Sequence, residues 1–151
     1  MHSHQKCKIL IAEDDADDRF LIEDAFTECN LTNELEFVVD GVDLMDYLNR
    51  RGKYTELEGE PLPNLILLDL NMPRMDGRSA LQQIKTSAEL CKIPVVVLTT
   101  SKAQEDIVRT YGLGVNSFIT KPVTFENLVD VVGVLTQYWE CVVTLPAAEA
   151  A

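Results

Sequence analysis

Acidic side chains follow two apolar runs that have the length of buried β-strands. Residues 65–68 lead into Asp69, and residues 9–12 lead into three consecutive acids, Glu13, Asp14 and Asp15. Because the carboxyl ends of parallel strands meet at one edge of a sheet, these carboxylates are expected to share one pocket. Clustered carboxylates repel one another unless a cation lies among them. A hard divalent cation with oxygen ligands suits such a pocket, and we expect magnesium there.

Hydroxyl groups and an ammonium group are predicted at the same edge. Thr99 and Thr100 close the fourth strand-like run, and Lys121 follows the fifth. Acids, hydroxyls and one ammonium around a metal are typical of a phosphoryl-transfer site, because the cations neutralise phosphoryl oxygens and a hydroxyl donates to one of them. Asp69 is the candidate nucleophile, since carboxylates form acyl phosphates.

Five strand-like runs alternate with five helical patterns. The strands are predicted at residues 8–12, 34–39, 65–69, 94–99 and 115–120. This alternation in one domain predicts an α/β fold with a doubly wound parallel sheet and right-handed crossovers. The first, third and fourth runs are nearly all apolar, as expected of strands covered on both faces. The second and fifth carry polar residues and are predicted at the sheet edges.

The helices are predicted from apolar residues that recur with a period of 3.6. The first four stripes are Ile22, Ala25, Phe26 and Cys29; Leu44, Met45 and Leu48; Leu81 and Ile84; and Ile107, Val108 and Tyr111. Asp17 and Asp18 fall in the first turn of the first helix, where the helix dipole favours acids. The polar stretch 50–64 is predicted to be a surface loop.

Composition excludes several classes of function. The chain has 151 residues, 46% of them hydrophobic, which suits one domain with a hydrophobic core. Its 25 acidic residues outnumber 13 basic ones, which argues against a nucleic-acid-binding surface. No signal peptide and no apolar run of the ~20 residues needed to span a bilayer is present. We therefore expect a cytoplasmic protein that binds neither nucleic acid nor membrane.

Four motifs together resemble the receiver domain of two-component response regulators. They are the acidic pair 13–14, the segment 69–77 that begins at the candidate nucleophile, and the segments 98–101 and 118–122. The motifs occur in the order and spacing of that family, over about residues 7–138. The resemblance implies a flavodoxin-like fold with five parallel strands in the order 2-1-3-4-5.

The resemblance also implies roles for individual residues. Asp69 would be the phosphoacceptor, Asp14 a direct magnesium ligand, and Glu13 a residue that acts on the metal through water. The other implied roles are a metal ligand at the backbone carbonyl of Asn71, a phosphoryl hydrogen bond from Thr99, a phosphoryl ion pair with Lys121, and a switch rotamer at Phe118. Two alternatives remain open: Asp14 and Asp15 as the acidic pair, and an ordinary core position for Phe118.

A narrower resemblance concerns the long loop before the third strand and the ending 138–146. Both are similar to stand-alone regulators of cyanobacterial-type phytochrome histidine kinases. We expect a flexible N-terminal tail over 1–7, a receiver domain over 8–139 and a C-terminal extension over 140–151. The chain would accept a phosphoryl group from a histidine kinase and signal by protein–protein contact. It would not be an enzyme, beyond self-phosphorylation from small donors and autodephosphorylation.

Two other functions compete with this interpretation. A metal-dependent phosphohydrolase would use the same aspartyl chemistry, but such enzymes usually need a second acid two residues after the nucleophile, where this chain has Asn71. A constitutive interaction module would not need the set of Asp14, Asp69, Thr99 and Lys121. The phosphorylation switch uses all of them.

The fifth predicted helix, residues 125–139, is apolar on two sides. One stripe comprises Phe125, Leu128, Val132, Leu135 and Trp139, and the other comprises Val131, Val134 and Tyr138 and continues to Val142. The sheet can cover only one stripe, so the second is expected to pack against another copy of the chain in a homodimer formed by this helix and the extension. The alternative is that the extension folds back over it.

Overall fold

A computed structural model describes residues 8–29, 34–69, 72, 74–75, 77–99, 117–120 and 124–137. Five of its segments are strands: β1 (Lys8–Ala12), β2 (Glu34–Val38), β3 (Leu65–Asp69), β4 (Val95–Thr99) and β5 (Ser117–Thr120). They form one parallel sheet in the order β2-β1-β3-β4-β5. The predicted fold class, strand order and edge positions are therefore confirmed.

The strand boundaries differ from the predicted ones by small amounts with clear causes. Strand β4 begins at Val95 rather than Pro94, because proline has no N–H to donate to the ladder, although the Pro94 carbonyl still accepts from the Ile66 amide. Strand β2 ends at Val38 because the next amide, that of Val39, donates to the Asp43 side chain at 3.0 Å. The predicted residues 115–116 of the fifth strand lie outside the described residues.

Four α-helices occur among the described residues: α1 (Ala16–Glu28), α2 (Gly41–Leu48), α3 (Gly77–Thr86) and the last helix (Phe125–Gln137). None of these helices has both the length and the apolar character that crossing a membrane requires. The predicted stripes of the first three helices are buried, apart from Cys29, which is half-buried. The predicted fourth helix, with Ile107, Val108 and Tyr111, lies outside the described residues.

The sheet has a core cluster on each face. Alternate residues of β1 and β3 point to opposite faces, so Leu10 and Leu68 join one cluster while Ile9 and Leu67 join the other. The first cluster includes residues of α2 and α3, and the second includes residues of α1 and the last helix. All five residues of β3 are buried. This central strand therefore delivers its final residue, Asp69, to the sheet edge on a rigid support.

The segment 50–64 is more structured than the predicted surface loop. Residues Gly52–Leu57 form a 3-10 helix, and Tyr54, Leu57 and Leu62 pack against the first core cluster. Arg50 binds this segment to α2, since its guanidinium donates to the Tyr47 carbonyl at 2.7 Å and to carbonyls of residues 60 and 61 at 3.1 Å. The surface position is confirmed, since no residue of the 3-10 helix is buried, but the helix itself was not predicted.

Candidate functional site

Three carboxylates meet at the carboxyl edge of the sheet. Strands β1 and β3 are neighbours with Ala12 opposite Leu68, so the residues that follow these two, Glu13 and Asp69, lie side by side. One carboxylate oxygen from each of Glu13, Asp14 and Asp69 lies within 4.8 Å of the others. Glu13 is 1% exposed and Asp69 4%, whereas Asp14 is exposed. The group thus has a buried floor and one side open to solvent.

This group of carboxylates fits a hard divalent cation. Two oxygens that share one Mg²⁺ at about 2.1 Å lie at most about 4.2 Å apart, and the observed spacing of up to 4.8 Å needs only a small contraction. Carboxylate oxygens are also the ligands that such cations prefer. Without a cation, three negative charges at this distance repel one another. The donor set therefore matches a divalent metal site.

Hydrogen bonds hold Glu13 from three directions. Its amide donates to the Val38 carbonyl at 2.9 Å, and its side chain accepts from the Asp15 amide at 3.2 Å. Arg19, in the first turns of α1, donates through Nη1 to the Glu13 carbonyl at 2.9 Å. Sequence analysis did not single out Arg19. The available signal was that a basic residue directly follows the acids of residues 13–18.

Asp15 has a different role from its two acidic neighbours. It is the N-cap of α1, and its Oδ1 accepts from the amides of Asp17 at 2.8 Å and Asp18 at 3.1 Å. Aspartate is among the best N-cap residues because it satisfies amides that have no partner within the helix. The third acid of the triplet is therefore engaged by the helix, and the close group contains Glu13 and Asp14 instead.

The remaining predicted site residues are placed only in part. Thr99 is the last residue of β4, which pairs with β3 so that Leu98 lies opposite Asp69; the backbone of Thr99 is therefore at the same sheet edge. Phe118 is in β5, opposite Val97. Asn71 and Lys121 lie outside the described residues. The predicted roles of these four residues stay predictions.

A comparison with protein families assigns the chain to a class. The model of the response regulator receiver domain matches residues 9–133, most of the chain and all three of the clustered carboxylates. The chain belongs to the response regulator receiver domain family. The predicted membership is thereby confirmed.

Individual relatives extend over nearly the whole chain. Response regulator Rcp1 of Synechocystis sp. is 41% identical over 140 residues, which cover 93% of each chain. A probable methanogenesis regulatory protein, FilR2 of Methanothrix harundinacea, is 42% identical over 131 residues, covering 87% of this chain and 82% of FilR2. The two relatives are almost equally identical to this chain, although their names refer to different physiological systems.

Two crystal structures resemble the fold closely. The phosphorylated cyanobacterial phytochrome response regulator RcpA superimposes with a TM-score of 0.85 at 39% identity, covering 94% of this chain and 99% of RcpA. The Mn²⁺-bound form of Rcp1 gives a TM-score of 0.82 at 40% identity, covering 93% and 99% of the two chains. The chain is thus a response regulator homologous to phytochrome-linked regulators.

Proposed function

We propose that this chain is a phosphorylation switch in which Asp69 accepts a phosphoryl group from a histidine kinase. The observation that carries the proposal is the group formed by Glu13, Asp14 and Asp69, within 4.8 Å at the carboxyl edge of the sheet. Within this group, Asp69 is the proposed acceptor, and it is held at the end of the fully buried strand β3. Family membership supports the same role for this residue.

The transfer is a displacement at phosphorus. A carboxylate oxygen of Asp69 attacks the phosphorus of a phosphohistidine, the new P–O bond forms as the P–N bond breaks, and the imidazole leaves with the bonding electron pair. Glu13, Asp14 and Asp69 would hold a divalent cation, with the Asn71 carbonyl as a further ligand. When bound, the cation would neutralise charge on the transferred group. We propose that it is Mg²⁺, which the oxygen donors suit.

Three further residues would respond to the phosphoryl group. Thr99 would donate its hydroxyl to a phosphoryl oxygen and Lys121 would form an ion pair with another, since hydrogen bonds between charged groups are the stronger ones. The movement of Thr99 would vacate space that the Phe118 side chain fills. Phosphorylation adds charge and strong acceptor oxygens, so a local change at Asp69 would bias the surface next to β4 and β5.

We propose a phytochrome-type histidine kinase as the donor, and a cytoplasmic location for the pair. Support comes from the relation to RcpA, which is described as a cyanobacterial phytochrome response regulator, at 39% identity. The acidic composition, with 25 acids to 13 bases, suits an output through protein contact rather than through nucleic acid.

Label transfer from an autophosphorylated phytochrome-type histidine kinase tests the function. Kinase carrying radioactive phosphohistidine is mixed with the protein in Mg²⁺, and a parallel sample contains EDTA. We expect the label to leave the kinase and appear on this chain in Mg²⁺ only. The proposed function is contradicted if the chain takes up neither label from the kinase nor phosphate from a small acyl-phosphate donor.

We further propose that the chain forms a homodimer through its last helix and the extension after it. In the described part of this helix, Val132 is 3% exposed and Phe125, Leu128 and Leu135 pack on the second core cluster. This confirms the stripe predicted to face the sheet, except for Trp139, which lies outside the described residues. On the other side, Val134 is 69% exposed. A single exposed apolar side chain is ordinary by itself, so the proposal rests on the whole second stripe, Val131, Val134 and Tyr138, that the sequence predicts for this side.

The double substitution Val134→Glu with Tyr138→Glu should convert the dimer to a folded monomer, because a carboxylate cannot be buried in an apolar contact without a partner. Light scattering measures the mass, and circular dichroism checks the fold. Asn127→Glu, on an exposed position of the same helix, is the matched control and should stay dimeric. A wild type that is monomeric at tens of micromolar, with and without phosphorylation, refutes the dimer.

A further inference from the structure

An ion pair joins two loops that are far apart in the sequence. Arg74 follows β3 in the segment that leads to α3, and Asp40 lies between β2 and α2. The Arg74 Nε donates to Asp40 Oδ2 at 2.7 Å and its Nη2 donates to Oδ1 at 3.1 Å. This two-point geometry is the strongest that an arginine and a carboxylate form. It connects positions 34 residues apart.

A backbone contact beside the ion pair brings the same two loops together. The Gly41 amide donates to the Met75 carbonyl at 2.9 Å. The approach is so close that a Cβ atom on Gly41 would lie 2.6 Å from the Met75 Cβ, a distance that real side chains do not adopt. Position 41 therefore requires glycine, and the backbones of the two loops are in direct contact there.

The carboxylate of Asp40 is supported from the side of α2. Asp40 is the N-cap of this helix and accepts from the Asp43 amide at 2.7 Å. The Asp43 side chain accepts in turn from the Tyr54 hydroxyl at 2.8 Å, so the 3-10 helix of segment 50–64 contributes to the same network. Burial and the bond to Asp43 raise the pKa of Tyr54, which keeps the hydroxyl protonated as a donor.

Charge balance keeps Asp40 ionised in this buried position. Burial by itself would raise the pKa of Asp40, but hydrogen bonds from Arg74 and from the Asp43 amide, together with the Arg74 charge, outweigh it and lower the pKa. Arg74 has a φ of 62°, a left-handed conformation that non-glycine residues adopt only when surrounding contacts enforce it. Arg74 thus keeps Asp40 ionised, and it makes this contact from a backbone conformation that is unusual for arginine.

We propose that Asp40 and Arg74 form a latch that positions the loop after Asp69 and thereby sets the affinity of the site for its metal. The inference rests on the proposed function. The sheet anchors the start of this loop at Asp69, and the latch anchors it at Arg74, on either side of Asn71, whose carbonyl is the proposed further ligand. Asp40 and Arg74 are positioning residues, since neither belongs to the close group of carboxylates.

Arg74→Ala tests the latch with two measurements that do not depend on phosphorylation. Mg²⁺ titration should show affinity about tenfold weaker, the lower end of the loss that follows removal of an outer-shell partner. Hydrogen exchange at the Gly41 amide should accelerate, because this amide donates across the same two loops. The matched control is Arg51→Ala: Arg51 is as exposed as Arg74, at 59%, and forms an ion pair with Asp46 at 3.5 Å. It should leave both measurements unchanged.

Asp40→Asn separates the latch from the helix cap. Asparagine caps helices as well as aspartate does, so α2 should stay folded while the charge pairing with Arg74 is lost. We expect the metal affinity of this variant to fall as in Arg74→Ala, and the double variant to be no weaker than either single one. Additive losses, wild-type affinity in Arg74→Ala, or an equal loss in Arg51→Ala would overturn the latch. A wild type that binds Mg²⁺ and takes up no phosphate would refute the proposed function and leave the latch standing.

Discussion

Asp69→Asn should abolish phosphate incorporation from a small acyl-phosphate donor in Mg²⁺, while the protein stays folded. Asparagine keeps the shape of the side chain but has no anionic oxygen to attack phosphorus. The backbone of residue 69 stays in the β3–β4 ladder opposite Leu98, so the sheet should not change. Intact-protein mass spectrometry counts the phosphate, and thermal unfolding checks the fold.

Asp130→Asn is the matched control for this variant. It makes the same chemical change at an exposed aspartate of the last helix, away from the carboxyl edge of the sheet, and should incorporate phosphate as the wild type does. Equal incorporation in Asp69→Asn and in the control would mean that another residue is the acceptor.

Asp14→Ala and Asp15→Ala should affect different properties, metal affinity and stability respectively, although the two residues are adjacent. Asp14→Ala removes a carboxylate of the close group and should weaken Mg²⁺ binding at least as much as the roughly 10- to 100-fold that loss of an outer-shell partner costs. Asp15→Ala removes the N-cap of α1 and should lower the free energy of unfolding by about 1 kcal/mol, with little effect on the metal.

Each of these two variants is the control for the other, because they delete the same group one residue apart. Isothermal titration measures the metal affinity, and urea unfolding without metal measures stability. A larger loss of Mg²⁺ affinity in Asp15→Ala than in Asp14→Ala would support the alternative in which Asp14 and Asp15 are the acidic pair.

The sheet and the close group of carboxylates were predictable because their signals are local. The apolar runs before Glu13 and Asp69 mark strands whose order in a parallel sheet brings both ends to one edge. The structure has these strands as Lys8–Ala12 and Leu65–Asp69, with the bounds that the sequence predicts. Burial on both faces leaves little freedom in where such a strand begins and ends.

Features that depend on tertiary contact were not predictable in this way. The pairing of Asp40 with Arg74 joins loops 34 residues apart, and neither residue has a local signal beyond a turn. The distinct role of Asp15 depends on which of the three consecutive acids becomes the N-cap of α1. The sequence does not decide this, because each of them can cap a helix or bind a metal. The 3-10 helix of segment 50–64 is stabilised by the Tyr54–Asp43 hydrogen bond, which a helical period does not encode.

Direct chemical mapping of the phosphorylated residue tests the central claim of an aspartyl phosphoacceptor at position 69. The wild type is phosphorylated in Mg²⁺, reduced with borohydride so that an acyl phosphate becomes the alcohol homoserine, and digested for peptide mass spectrometry. We predict homoserine at position 69 and at no other acidic position, with none in a sample kept in EDTA. Homoserine at Asp14, Asp15 or another carboxylate, with Asp69 unmodified, would contradict the claim.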